Sequence, residues 1–321
     1  MGLSEEELEQ FQNLGYLVKE RIFSNDDLQP LRDGITESIQ DACDRLMEVG
    51  GLDQDFQEAS FETRLSKIYQ YNRKAGQEVY MSIHSGRFHG PGMLKVLRHL
   101  PLIACIEDLI GPDIMATSIY RIRPKLPYFS RGEVPWHQDA GYMMSHCNNY
   151  LVITCWVPIV DATVDNGCLW VIPKGQDKGV IRHYTGGHAG YLEIASEDVP
   201  DGAIPLEMKA GSVLFLTNLT PHASFENNTE FIRWSIDLRY QDFDVPNNVD
   251  EVPEDYFPER DPVTMACNPD EAYFVIQDLK YPNREMRNPE EFAKLRRHWD
   301  SSKVKRPGRG WTPLSDRHNI Q

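Results

Sequence analysis

The chain has 321 residues, 40% of them hydrophobic, and a formal net charge of −16. That length and apolar content suffice for a sizeable buried core. The acidic balance argues against general nucleic-acid binding, which depends on a basic footprint. No apolar run approaches the roughly 20 residues that cross a bilayer. The opening Met1-Gly2-Leu3-Ser4-Glu5-Glu6-Glu7 lacks a secretory pattern, and Glu6 stands where a myristoylation signal needs Ser or Thr. The six cysteines, Cys43, Cys105, Cys147, Cys155, Cys168 and Cys267, form no C-x-x-C pair and read as reduced, mainly buried thiols. The expectation is a soluble cytoplasmic protein with no membrane association.

Residues 4–50 read as helical. Ser4 with Glu7 makes a capping box, residues 14–18 interrupt as a short strand, and Ser24 with Asp27 starts a second helix. Leu28, Leu31, Ile35, Ile39, Ala42, Cys43 and Leu46 then recur at spacings of three and four, giving one apolar stripe that should pack on a sheet. Residues 51–90 are weakly patterned; His84 and His89 there could line a pocket, with ordinary loop histidines as the preferred reading. Residues 91–111 read as two short helices, with Pro101 in a first turn and Gly111 as a C-terminal cap.

From 114 to 240 the pattern changes to short β-rich runs: 114–123, 150–160, 168–172, 212–217 and 231–240. Asp165-Asn166-Gly167 is a strong turn signal between two of them. Such spacing predicts a sandwich or closed barrel, with the N-terminal helices covering one outer face. Residues 241–321 are rich in Pro, Asn and charge. A helix is expected from Pro289 to His298, followed by a solvated or loosely docked basic arm carrying Lys303, Lys305, Arg306 and Arg309. The whole reads as one domain: a helical scaffold over 1–112, a β core over 113–240 and an extension over 241–321.

The chemistry is carried by Trp136-His137-Gln138-Asp139-Ala140-Gly141-Tyr142. A strand running into a turn would put His137 and Asp139 on one face, where an imidazole and a carboxylate can hold adjacent positions on one metal. His222, after the apolar run 213–216, sits at an expected strand end and would complete a set of two histidines and one carboxylate. In the run 231–240, Ile232, Trp234, Ile236 and Leu238 share one face, and Arg233, Ser235, Asp237 and Arg239 share the other. An inward Arg233 would suit a dicarboxylate, because its forked guanidinium matches carboxylate geometry. Arg239 is read as solvent-facing. His183 and His188 lie in the glycine-containing stretch 182–188, which reads as a hinged lid and not as a second metal site.

Taken together, Trp136-His137-Gln138-Asp139, then Asn166-Gly167-Cys168-Leu169-Trp170-Val171-Ile172-Pro173, then His222-x-Ser224 and Arg233 resemble the phytanoyl-CoA dioxygenase family. The resemblance runs from about residue 5 to residue 240. It implies a mainly β fold with flanking helices, built on a double-stranded β-helix (a cupin-like jelly roll). It implies Fe(II), 2-oxoglutarate and O2 as cofactor and cosubstrates. His137, Asp139 and His222 would be the iron ligands and the catalytic centre. Arg233 would pair with the distal carboxylate of 2-oxoglutarate, with Ser224 and Thr154 nearby. Arg121, Arg123 and Lys125 are alternatives for a further polar contact from the strand before the H-x-D motif. Asp139 points to hydroxylation, since related halogenases carry Gly or Ala there. Pro173-Lys174-Gly175-Gln176 departs from the family's common P-G-S-H form. The expected activity is hydroxylation of an unactivated C–H bond of a small molecule, with release of succinate and CO2. The alternatives are an epimerase or desaturase of the same oxidative chemistry, or a non-catalytic cupin-like binding protein. Gln138, Tyr142, Trp156 and Trp170 are candidates for pocket walls, with core packing as the other reading.

Overall fold

The structure, a computed structural model, describes residues 2–84, 88, 90–117, 120–143, 148–243, 245, 273–301 and 311–319. His89, Cys147, Cys267 and the basic residues Lys303, Lys305, Arg306 and Arg309 lie outside the described residues. Two antiparallel sheets face each other. The larger has the order β1 (Tyr16–Lys19), β10 (Val213–Thr217), β5 (Ile153–Pro158), β12 (Arg233–Asp242), β2 (Ile114–Thr117), β13 (Tyr273–Gln277), with β3 (Arg121–Lys125) also pairing with β12. The smaller has the order β4 (Val134–His137), β11 (His222–Ser224), β6 (Leu169–Val171), β9 (Ile204–Leu206). A separate two-stranded ribbon joins β7 (His183–Tyr184) to β8 (Glu193–Ile194). This is the expected mainly β jelly roll with helices on one outer face.

The long strand β12 explains the layering. Its even-numbered side chains, Trp234, Ile236, Leu238 and Tyr240, are fully buried against the helical layer. Trp234 stacks on Phe61 at 4.8 Å and donates its Nε1–H to the Phe61 carbonyl. Tyr240 donates to the Leu97 carbonyl. Each satisfies its one polar handle while burying a large apolar body. The odd-numbered residues face the space between the sheets. A smaller apolar cluster of Tyr16, Trp156, Leu169, Val171, Leu214 and Leu216 closes that space at one end.

The helices form where the caps and stripes predict. Capping boxes at Ser4/Glu7 and Ser24/Asp27 open α1 (Glu5–Leu14) and α2 (Asn25–Glu48). Leu28, Leu31, Ile35, Ile39, Ala42 and Cys43 of α2 are buried; the helix packs chiefly against α4 (Arg73–Ile83) and α5 (Pro91–Leu97), and its apolar stripe belongs to the core cluster that also holds Phe215 and Ile236 of the large sheet. The close approach of α5 requires Gly92, where a Cβ would lie 2.4 Å from the Pro30 carbonyl oxygen. The weakly patterned stretch 51–90 contains two helices that the sequence reading missed, α3 (Arg64–Tyr71) and α4. Their apolar residues, Leu65 with Ile68 and Ala75, Val79 with Ile83, do keep helical spacing, and Asn72 caps α4 by accepting from Ala75 N–H. Their charged remainder diluted that signal. α6 (Leu100–Ile110) follows with Pro101 in its first turn and Gly111 at its end.

Two further segments join the molecule from beyond the β core. β13 lengthens the large sheet, and α7 (Pro289–Ser301) buries Phe292 against Tyr120 and Phe274. Residues 311–319 dock on the β7–β8 ribbon: Thr185 N–H donates to Thr312, and Leu314 N–H donates back to Thr185. Residues 311–319 are thus docked, while the basic residues expected on a solvated or loosely docked arm lie outside the described residues. Among the described residues no helix is long and apolar enough to cross a membrane.

Candidate metal centre and oxyanion pocket

β4 and β11 are neighbours in the small sheet, and their register places His137 directly opposite His222. The two rings lie 4.2 Å apart. β4 ends at His137, and the chain turns so that Asp139 faces the same point from the start of a short 3-10 turn. One donor atom from each of His137, Asp139 and His222 lies within 4.8 Å of the other two, and all three residues are buried.

The donor set fits a divalent first-row metal. His137 Nδ1 lies 2.8 Å from the Pro135 carbonyl oxygen, and His222 Nδ1 lies 3.0 Å from that of Thr220. A carbonyl oxygen only accepts, so each Nδ1 carries its proton and donates it, leaving the Nε2 lone pair for a metal. Burial and the neighbouring His222 push His137 well below the usual imidazole range, so it is neutral at pH 7. Burial alone would raise Asp139. The charge of Arg239 overrides it and holds the carboxyl well below the usual carboxylate range.

Asp139 is held by both oxygens. Arg239 Nη2 donates to Oδ1 at 2.6 Å, and Thr154 Oγ1 donates to Oδ2. Arg239 and Thr154 are register partners on β12 and β5. The solvent-facing reading of Arg239 is therefore corrected: the residue is turned inward and paired. Its spacing of six from Arg233 was the available signal, because an even separation on a strand means the same face.

Beyond the triad lies a cavity of about 640 Å³ of atom-free space, its mouth included. Arg123, Lys125, Arg233 and Arg239 line it, opposed by Asp237. Arg233 is 2% exposed, sits 5.2 Å from the centre of the Trp156 ring and donates to the hydroxyls of Ser235 and Ser224. Its Nε is buried without a hydrogen-bond partner, and among the described residues no carboxylate lies in salt-bridge range of it. Burial lowers Arg233 to about 10, which still leaves it charged at neutral pH. A buried cation without a counter-ion is costly and favours anion binding.

Lys125 is the register partner of Arg233 and donates to the Ser224 and Phe225 carbonyls. Burial and the adjacent Arg233 lower its pKa well below the usual lysine range. Arg123 donates its Nε–H to Asp237 at 2.8 Å. Arg121 lies on the same face of β3 but does not line the cavity, and one of its contacts is to the Tyr120 carbonyl. Of the three alternatives on this strand, Lys125 is thus the one that stands beside Arg233 and Ser224.

Several residues sit differently from the sequence reading. His84 lines the cavity and stacks with Tyr80 at 4.7 Å, so it is not an ordinary loop histidine. Gln138 does not line this cavity. Its amide donates to the Gly179 and Leu219 carbonyls and accepts from Ile181 N–H, tying the turn to two loops. His183, in the stretch read as a lid, is fully buried and its Nε2 accepts the Gln138 N–H. Trp311 packs on His183 and donates to the Gly141 carbonyl at 2.8 Å. Tyr142 sets its ring edgewise to His137 at 5.8 Å, Trp156 underlies Arg233, and Trp170 packs on Phe225.

Comparison with known proteins places this arrangement. The family model described as phytanoyl-CoA dioxygenase (PhyH) matches residues 11–235. A phytanoyl-CoA dioxygenase of Arabidopsis thaliana is 24% identical over 269 residues, covering 76% of this chain and 90% of the relative. A methylphosphonate hydroxylase of Gimesia maris is 24% identical over 241 residues, covering 74% of this chain and 80% of the relative. Among solved structures, the apo form of the non-haem monooxygenase ThoJ superposes with a TM-score of 0.58 at 15% identity, over 91% of this chain and 93% of that one. The non-haem α-ketoglutarate-dependent epimerase SnoN gives 0.50 at 16% identity, over 85% and 98%. At those identities the structural likeness is one of fold. The sequence match itself spans more than two thirds of the chain and takes in β4, β11 and the start of β12, so this protein belongs to the phytanoyl-CoA dioxygenase family.

Proposed function

We propose that the protein is a cytoplasmic Fe(II)- and 2-oxoglutarate-dependent dioxygenase that hydroxylates an unactivated C–H bond of a small molecule, and that residues 1–321 act as one oxygenase domain. The observation that carries this reading is the buried His137–Asp139–His222 triad beside a buried Arg233 that has no carboxylate in salt-bridge range among the described residues. His137, Asp139 and His222 would hold the iron. Bound there, iron with 2-oxoglutarate and O2 supplies the oxidant that removes a substrate hydrogen, with succinate and CO2 released.

The chain's own residues do the positioning. His137 and His222 present unprotonated Nε2 atoms because their Nδ1 protons are spent on Pro135 and Thr220. Arg239 and Thr154 hold Asp139 ionised and oriented. Arg233, with Ser224 and Lys125, receives the distal carboxylate of 2-oxoglutarate in a charge-assisted contact. The carboxylate at position 139 supports hydroxylation, because it fills the ligand position that halogenases leave to chloride.

Anaerobic titration with Fe(II) and then 2-oxoglutarate, followed by a substrate-library screen for succinate release, tests the reading. The product should gain one oxygen atom derived from O2. His222→Ala should lose both micromolar metal binding and turnover; full activity in that variant overturns the site. A product isomerised or desaturated, with no oxygen gained, replaces hydroxylation by the epimerase or desaturase outcome.

A further inference from the structure

We propose that Arg123 recognises an oxyanion, a carboxylate or a phosphoryl group, on the primary substrate. The proposal rests on the reading above, in which Arg233, Lys125 and Ser224 take the cosubstrate.

Three cations follow one another on the inward face of β3, and each has a different environment. Lys125 reaches across to the small sheet and is capped by the Ser224 and Phe225 carbonyls beside Arg233. Arg121 lies outside the cavity lining. Arg123 lines the cavity, and its side chain stays 23% accessible there. It donates Nε–H to Asp237 and one Nη1–H to the Tyr191 hydroxyl at 3.4 Å. A guanidinium carries five N–H donors. The remaining three find no partner among the described residues and are available to a ligand.

The surroundings of Arg123 place it on the substrate side. Tyr191 contacts it directly, and the next residue, Leu192, donates its N–H to the Tyr142 hydroxyl at 3.0 Å. Tyr142 in turn sets its ring against His137. Tyr80 and His84 form another part of the same cavity wall. An aromatic collar thus links Arg123 to the rim of the metal triad.

Arg239 is paired with Asp139, and Arg123 meets Asp237 only through its Nε–H, so no carboxylate consumes the Nη donors of Arg123 among the described residues. The planar guanidinium fork suits carboxylate and phosphoryl oxygens alike.

The test uses the full chain loaded anaerobically with Mn(II) and saturating 2-oxoglutarate, with inorganic phosphate and acetate as separate probes. Paramagnetic relaxation of 31P or 13C reads proximity to the metal. At least one probe should show saturable enhancement: phosphate alone assigns a phosphoryl substrate, acetate alone a carboxylate, and both a general oxyanion site. Arg123→Gln should weaken the probe roughly tenfold or more while Mn(II) and 2-oxoglutarate affinities stay within about threefold. Arg123→Lys, which keeps a cation beside Asp237, guards against misfolding and should fall between. Enhancement by neither probe overturns the proposal alone, as does enhancement unchanged in Arg123→Gln. Loss of 2-oxoglutarate binding in Arg123→Gln overturns it in favour of a cosubstrate anchor. Failure of the wild type to bind Mn(II) and 2-oxoglutarate overturns the underlying reading and the proposal with it.

Discussion

Arg239 and Asp139 form an ion pair between the two sheets, with Nη2 2.6 Å from Oδ1 and side chains 12% and 2% exposed. Asp139 follows β4 of the small sheet, and Arg239 belongs to β12 of the large one. Thr154, opposite Arg239 on β5, takes the other carboxylate oxygen. The large sheet therefore positions a ligand that the small sheet carries. Removing such a supporting partner typically costs ten- to a hundredfold in metal affinity. Arg239→Gln is expected to weaken Mn(II) binding by roughly that factor, with 2-oxoglutarate affinity at saturating metal little changed. Isothermal titration of the metal checks this, and an unaltered affinity would reduce the pair to a fold contact.

Arg233→Ala should raise the KM for 2-oxoglutarate by about ten- to a hundredfold, the equivalent of ~1.5–3 kcal/mol for a lost charge-assisted contact. Metal affinity should be unaffected, because Arg233 touches Ser224 and Ser235 and no member of the triad. An unchanged KM would transfer the anchoring role to another cation.

Lys125 gives a pH dependence of definite sign. Its folded pKa is lowered by burial and by Arg233, so the folded state releases this proton before the unfolded chain does. Between the lowered pKa and the ordinary value of 10.5 the unfolded state binds more protons, and stability from this group rises with pH. Cosubstrate binding runs the other way: the distal carboxylate needs the ammonium, so affinity for 2-oxoglutarate should fall as pH rises through the same window. Lys125→Met should bind 2-oxoglutarate several-fold more weakly at neutral pH, about one charged hydrogen bond's worth, and should flatten both trends. A slope that persists in Lys125→Met would assign them to a different group.

Trp311 contacts the H-x-D turn from beyond the family-matched region. Its ring packs on His183, which accepts from Gln138, and its Nε1–H reaches the Gly141 carbonyl. Trp311→Phe keeps a ring and loses the donor, and should cost about 1 kcal/mol. Trp311→Ala should cost more and weaken metal binding as well, since the packing on His183 and the bond to Gly141 are then both lost. Thermal melts paired with Mn(II) titrations separate the two effects; equal metal affinity in all three proteins would confine Trp311 to stability.

Two glycines offer a matched contrast. A Cβ at Gly141 would lie 2.7 Å from the His183 ring, and one at Gly92 would lie 2.4 Å from the Pro30 carbonyl. Each alanine substitution overpacks and should cost ~1–3 kcal/mol. Gly92→Ala separates α5 from α2 on the helical face, so metal and cosubstrate affinities should survive in the folded fraction. Gly141→Ala displaces the turn that carries Asp139, so metal affinity should fall with stability. Similar metal affinities in both variants would contradict the positional argument.

The sequence by itself determined what local chemistry controls. Capping boxes at Ser4 and Ser24 act within four residues, and period-two alternation sorted β12 into an apolar face with Trp234 and a polar face with Arg233. Ordered motifs were enough to bring His137, Asp139 and His222 together as one candidate set, because a histidine at a strand end and an H-x-D turn have fixed local geometry. Tertiary structure alone decided which polar residue meets which. Arg239 and Arg233 share a face, yet the turn after β4 gives Arg239 a carboxylate, and Arg233 has none in salt-bridge range among the described residues. Arg121, Arg123 and Lys125 were equivalent by alternation. They diverge because Lys125 spans to β11, Arg123 meets Asp237 and Tyr191, and Arg121 falls outside the cavity. His84 and Trp311 were unreadable for the same reason: their roles lie in long-range contacts, and no local pattern encodes the partner that packing supplies.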